Sequence, residues 1–159
     1  MRQPPQHLID PRALKVWKIS AVLYTGIIWV LLIVGAILTI INDWSMLYII
    51  ISIFLHGIIS YLFIFLFPKL RYRRWRYEIF EQEIYIQHGI FIMTRTLVPM
   101  IRVQHVDTEQ GPLMKKYHVA SVSISTAATT HVIPALSEDD ASDLRDRISQ
   151  LARVDEDDV

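Results

Sequence analysis

Two long apolar runs occupy the first half of the chain, and one charged residue separates them. Residues 19–42 and 44–67 carry no charged side chain, and Asp43 lies between them. A helix needs about 20 residues to cross a hydrocarbon core of about 30 Å. The pattern therefore predicts a transmembrane helical hairpin over residues 19–67, with spans at about 19–41 and 44–67. The alternative, a buried helical hairpin in a soluble protein, is disfavoured by the length of both runs.

Basic residues flank both runs on the side away from Asp43. The N-terminal segment, residues 1–18, carries more basic than acidic residues, and five basic residues follow the second run within residues 69–76. Cytoplasmic loops of membrane proteins carry an excess of Lys and Arg. We therefore predict a multi-pass protein of the cell membrane whose termini both lie in the cytoplasm. Pro68 is expected to end the second helix, because the residue before a proline disfavours the helical conformation.

The segment of residues 69–76 is dense in basic and aromatic side chains, and we call it the basic collar. Anionic headgroups attract such segments by about 1 kcal/mol per basic residue. Interleaved Arg and aromatic rings also suit single-stranded nucleic acid, but a nucleic-acid partner is disfavoured because the collar abuts a span. The collar is thus either a topology signal alone or a lipid-contact surface. The candidate lipid contacts are Lys69, Arg71, Arg73, Arg74, Trp75 and Arg76.

Small and polar residues form a narrow stripe on each predicted span. Such residues are typical of helix interfaces in membranes, where backbones approach closely and hydrogen bonds cross. The candidate interface residues are Ser52, His56 and Ser60 on the second span, and Thr25, Gly35 and Thr39 on the first. An alternative makes His56 a proton or ligand site, since ionisable groups within membranes are often functional. Neither span holds a carboxylate to accompany it.

From residue 73 the apolar pattern changes to short runs rich in Ile, Val, Thr and Tyr, which is typical of β-strands. The clearest alternation predicts a strand with one apolar face and one solvent-exposed serine face. Ser137 suits the N-cap of a helix that ends near Val154, and the acidic tail, residues 155–159, is expected to be disordered. The predicted strands are Arg73–Phe80, Glu83–His88, Ile90–Val98, Val103–Glu109, Val119–Thr126 and Thr129–Ile133.

These elements predict the fold class of an α+β membrane protein. A two-helix transmembrane hairpin is followed, at residues 73–154, by a cytoplasmic antiparallel β-sandwich or barrel capped by a C-terminal helix. About 80 residues are enough to close one modest hydrophobic core.

The composition excludes several classes of function. The chain is 52% hydrophobic and 20% charged with a mean hydropathy of +0.31, which is unlike an ordinary soluble enzyme. It has no cysteine, which excludes disulfide scaffolds, thiol catalysis and cysteine-based metal sites. The histidines lack a metal-binding spacing, the serines lack a nucleophile elbow, and no glycine-rich phosphate loop is present. We expect no catalytic, cofactor-binding or metal-binding residues, no small-molecule substrate and no enzymatic activity.

A set of spaced motifs runs through the predicted β-domain. They are Glu83–Ile90, Thr96–Pro99, Ile101–Val106, Gln110–Met114 and Ile133–Leu136. With the preceding hairpin, this set resembles the bacterial pleckstrin-homology (PH)-like domain family of small transmembrane proteins. The resemblance implies a seven-stranded, helix-capped PH-like fold without enzymatic activity. It also implies that such proteins are often encoded beside a larger membrane protein with several similar domains, which is a candidate partner.

Three functions are compatible with these observations. The leading one is a non-enzymatic, membrane-anchored adaptor or assembly protein whose partners are membrane lipids and another membrane protein. The resemblance implies a role in envelope maintenance or in protection against membrane-active agents. The second is an anionic-lipid-binding or lipid-sensing module that acts through the basic collar. The third is a small transporter subunit that uses His56.

Overall fold

The computed structural model describes residues 3–157, which form two compact units. One unit, residues 17–69, is the helical hairpin. The other unit combines residues 3–16 with residues 70–157, and we call it the β-domain. The N-terminal segment, predicted as a separate cytoplasmic piece at residues 1–18, is thus largely part of the β-domain.

The hairpin consists of two long helical rods. The first is α1, Ala13–Ile41. The second comprises α2, Met46–Tyr61, a π-helical turn at Leu62–Leu66, and α3, Phe67–Arg74. Each rod has 29 residues and is long and apolar enough to cross a membrane. Ser45 caps α2, where its side chain accepts a hydrogen bond from the Leu47 N–H at 3.3 Å.

The second rod continues through Pro68, so the prediction that this proline ends the helix is wrong. Proline lacks a backbone N–H, and its ring clashes with the carbonyl four residues earlier. The π-helical turn lies immediately before it, and the Phe67 N–H bonds to the Leu62 carbonyl, five residues back. This local widening accommodates the ring. As a result, most of the basic collar is helical and continuous with the apolar rod.

The β-domain contains two antiparallel sheets and a C-terminal helix. The order is β1-β2-β3-β4 in the first sheet and β5-β6-β7 in the second. The strands are β1 His7–Leu8, β2 Arg76–Ile79, β3 Glu83–His88, β4 Thr94–Pro99, β5 Val103–Glu109, β6 Val119–Thr126 and β7 Thr130–Ser137. A 3₁₀ turn, Met100–Arg102, precedes β5, and the short helix α4, Pro112–Lys116, precedes β6. The predicted α+β fold is confirmed.

Three strands, β3, β5 and β6, have the predicted bounds. The strand predicted at Ile90–Val98 begins only at Thr94, because Gly89 adopts φ +128° and the chain turns there. The strand predicted to end at Ile133 extends to Ser137. β1 was not predicted, because two residues carry no periodic signal.

The N-terminal segment is integrated into the β-domain by strand pairing, by burial of a side chain and by hydrogen bonds. β1 pairs with β2, with His7 opposite Tyr77, and Ile9 is 1% exposed. The Asp10 N–H donates to the Ala135 carbonyl at 3.1 Å, at a β-bulge where Ala135 adopts φ +51°. The Asp10 carboxylate accepts from the Arg12 backbone N–H and guanidinium at 2.7–2.9 Å. These bonds hold the pKa of Asp10 below its usual value.

Both faces of β6 are covered, so the prediction of a solvent-exposed serine face is wrong. Ser121 and Ser123 are 8% and 5% exposed, while Val122 and Ile124 are fully buried. β6 is the middle strand of its sheet, and the Ser121 hydroxyl accepts from the Ala135 N–H at 3.4 Å. Alternation assigns side chains to faces but does not report whether the second face is covered.

The C-terminal helix α5, Glu138–Asp157, packs against both β5 and β6. Ser137 caps it as predicted, accepting from the Asp140 N–H at 3.0 Å, and Ala141 and Ile148 are fully buried. The helix includes Asp155–Asp157, so the predicted disorder of the acidic tail is wrong for these residues. Residues 158–159 lie outside the described chain.

Candidate membrane-proximal site

The two predicted stripes meet at His56. The His56 Nε2 lies 3.4 Å from the Thr25 carbonyl oxygen, and the Trp29 ring packs edge-on against the imidazole at 4.9 Å. Thr25, His56 and Ser60 are all less than 9% exposed. The structure therefore places these stripe residues in the contact between the two helices.

The hydroxyl groups of the stripes do not link the helices to each other. Thr25, Thr39 and Ser52 each donate to a carbonyl four residues earlier in their own helix, at 2.7–2.8 Å. Gly35 is exposed. The Ser60 hydroxyl is buried and has no hydrogen-bond partner within the described chain.

A cavity of about 500 Å³ opens between the helices towards the Asp43 turn. Its lining combines small and hydroxyl residues of both stripes with aromatic residues near the turn. Among its lining residues are Trp29, Gly35, Thr39, Trp44, Tyr48 and Ser52. The two helices thus leave a groove whose lining includes Gly35, which is exposed, Ser52, which is partly exposed, and Thr39, which is buried.

The structure divides the basic collar into two groups. Lys69, Arg71 and Arg73 are exposed on α3. Arg74 is half-buried and donates from Nη1 to the Ile90 carbonyl. Arg76 is half-buried in β2. The predicted lipid contact by the collar therefore depends on the three exposed cations.

Trp75 lies inside the β-domain, so its assignment as a lipid contact requires correction. It is 5% exposed and stacks on the His88 imidazole, with ring centroids 5.7 Å apart and an interplanar angle of 18°. The helical period places Trp75 on the same side as Arg71, four residues earlier, and places Lys69 and Arg73 together on another side. Arg71 is thus both exposed and close to the surroundings of Trp75. Its side chain anchors the end of α3 to β3.

A second cavity, of about 230 Å³, lies beside this stack. The lining contains one guanidinium and two imidazoles and no carboxylate. The lining residues are Arg71, Trp75, Ile86, His88, Thr130, His131 and Val132. Sequence reasoning missed this cluster, because β3 and β7 are far apart along the chain.

Between residues 3 and 157, no three side chains of His, Asp or Glu come together in an arrangement that could hold a metal ion. The pKa of Glu138 is lowered by hydrogen bonding to Gln110 and then to His118. Glu138 is the first residue of α5 and lines neither of the two cavities described above.

Comparison with known proteins agrees with this architecture. The Bacterial PH domain family description matches residues 15–152. The chain is 48% identical, over 161 aligned residues and the full length of both proteins, to the transmembrane protein YdbS of Bacillus subtilis (strain 168). No solved structure matches. The resemblance predicted from the spaced motifs is confirmed.

Proposed function

This chain belongs to the bacterial PH domain family, and we propose on that basis that it is a non-enzymatic membrane-anchored adaptor. It holds its PH-like domain at the cytoplasmic leaflet and assembles with another membrane protein. That partner is a larger protein carrying similar domains.

The groove between the two helices is the observation that carries the assembly proposal. Its volume of about 500 Å³ and its lining of Gly35, Thr39 and Ser52 suit a partner helix. Small residues allow close backbone approach, and hydroxyls offer hydrogen bonds that an acyl chain cannot use. The most apolar windows of the two rods are only 6% and 11% buried within the chain, which leaves most of their surface for lipid or a partner.

The pairing of β1 with β2 supports the proposed topology. The helical hairpin is inserted between these two adjacent strands, so the chain enters and leaves the membrane on one side. The charge asymmetry around the spans supports a cytoplasmic location for that side.

A topology experiment tests this placement. We expect a reporter fused after Val159 to be active in the cytoplasm and a reporter inserted at Asp43 to be active outside. Fusions are made to the full chain and scored with a pair of compartment-specific reporters. An external C-terminus contradicts the adaptor proposal, because the β-domain would then face the wrong side.

An affinity experiment tests the assembly. The chain is purified from native membranes in mild detergent, and recovery of a stoichiometric membrane protein is measured. We expect Ser52→Leu, His56→Leu and Ser60→Leu together to lower this recovery, because Ser52 lines the groove and His56 and Ser60 are buried in the contact between the two helices. His56 contributes an interhelical contact to the Thr25 carbonyl, and the loss of such a bond alone costs about 0.6 kcal/mol, or about threefold in association, so each single change should have a small effect.

The same helix offers a matched control. Ile50, Phe54 and Ile58 have the same four-residue spacing on the opposite face and are exposed. Their joint replacement by leucine is expected to leave recovery unchanged. Loss of activity in His56→Leu with intact assembly would instead favour the transporter interpretation.

A second candidate function, recognition of anionic lipid headgroups, is favoured by the cavity at Arg71, His88 and His131. Its lining combines one guanidinium with two imidazoles and no carboxylate, which suits a phosphate group. The affinity experiment distinguishes the two. Headgroup recognition is supported over assembly if the chain purifies without a protein partner and retains anionic lipid, and if replacing Arg71 lowers the amount of lipid retained.

A further inference from the structure

The turn between β3 and β4 exposes two large apolar side chains. Phe91 and Ile92 are 84% and 82% exposed, whereas no apolar side chain of the described spans exceeds 70%. Gly89 begins the turn at φ +128°. Its α-carbon lies so close to the Ile92 backbone that an added Cβ would be 1.9 Å from the carbonyl oxygen. The apolar tip is therefore held in a tight turn of defined conformation.

The turn is attached to the helix that leaves the membrane. Arg74 Nη1 donates to the carbonyl of Ile90, next to Phe91. Arg74 is the last residue of α3 and lies seven residues after Phe67, where the apolar run ends. The hydrogen bond thus joins the turn to a residue close in sequence to the end of the apolar run.

The ends of β3 and β4 that meet at the turn carry no acidic residue. Between Glu83 and Asp107 the sequence contains no acidic residue, and Arg95, the second residue of β4, lies next to the turn. Arg102 lies beyond the opposite end of β4. Arg95 donates to the Gln87 side chain at 2.9 Å across the base of the hairpin. An apolar tip with a cationic base matches the structure of a leaflet, in which anionic headgroups lie above the acyl chains.

We propose that the turn at residues 90–93 is a membrane wedge that inserts Phe91 and Ile92 into the headgroup–acyl boundary of the leaflet from which α3 emerges. The wedge rests on the membrane span and not on the adaptor assignment. It gives the β-domain a third attachment to the bilayer besides the two rods, and it fixes the orientation of the domain on the leaflet.

The absence of cysteine from the chain allows a direct depth measurement. Ile92→Cys is labelled with an environment-sensitive fluorophore, and the full chain is placed in phosphatidylcholine–phosphatidylglycerol vesicles that carry a quencher on the upper acyl chain. Ile101→Cys is the matched control. It is the same substitution at an exposed site (57%), beyond the other end of β4 and about 20 Å along the strand.

We expect quenching of most of the fluorescence at residue 92 and little at residue 101, because an inserted apolar tip lies about 5–10 Å into the boundary. Phe91→Cys provides the same readout if Ile92→Cys does not fold. Equal quenching at residues 92 and 101, whether strong or absent, overturns the wedge. A blue shift at residue 92 without quenching also overturns it, because the tip is then covered by protein. A negative affinity experiment would contradict the adaptor proposal and leave the wedge intact, because the quenching experiment does not depend on a partner protein.

Discussion

Replacing Gly89 with alanine is expected to destabilise the β-domain by about 3 kcal/mol. The residue adopts φ +128°, a conformation that side-chain-bearing residues rarely adopt. The new Cβ would also meet the backbone carbonyl oxygen of Ile92 at 1.9 Å, and a backbone atom cannot move aside without opening the turn. Hydrogen exchange of the β6 amides in the detergent-solubilised full chain measures this free energy of unfolding.

Gly111→Ala is the control for this experiment. Gly111 adopts φ −76° at the N-cap of α4, and nothing lies within 4 Å of an added Cβ. The same substitution should therefore change stability by less than about 1 kcal/mol. If Gly89→Ala were as mild as Gly111→Ala, the tight turn at residues 89–93 would be contradicted.

The second large effect is expected at Ile9, in the N-terminal segment. This side chain is 1% exposed, and truncation of a buried isoleucine to alanine costs about 2–5 kcal/mol. Ile9→Ala should therefore destabilise the β-domain by about 3 kcal/mol, although the residue lies more than sixty positions before β2. Hydrogen exchange of the β6 amides should become faster by the factor that corresponds to this loss of unfolding free energy.

The adjacent residue supplies the comparison. Leu8 is 45% exposed, so Leu8→Ala should cost less than about 1 kcal/mol. Equal, small effects at both positions would mean that the N-terminal segment is not part of the β-domain core. Far-ultraviolet circular dichroism of the helical hairpin should be unchanged in both variants, because the hairpin forms a separate compact unit.

The location of Ile9 changes how the hairpin is understood. The first span begins three residues after Asp10, whose N–H is bound to Ala135. The second rod ends at Arg74 and is followed directly by Trp75, which is buried. Both ends of the hairpin are therefore anchored in the folded β-domain.

Hydropathy and charge were sufficient to predict the membrane-spanning hairpin, and residue composition was sufficient to predict β3, β5 and β6, with alternation as a further signal in β6. These features are local, because a long charge-free run, a run rich in Ile, Val, Thr and Tyr, and a period of two can each be read from neighbouring residues. The spaced motifs added the family. Ser137 was identified as an N-cap for the same reason, since the capping bond joins it to Asp140, three residues away.

Contacts between distant parts of the chain required the tertiary structure. The two-residue β1 exists because β2 offers an edge, and the serine face of β6 is buried because other parts of the domain cover it. Pro68 remains helical because a π-helical turn precedes it. The basic collar was predicted as one surface, but packing divided it, since Trp75 fills a site beside His88. Sequence periodicity assigns a residue to a face, whereas only the folded chain determines what covers that face.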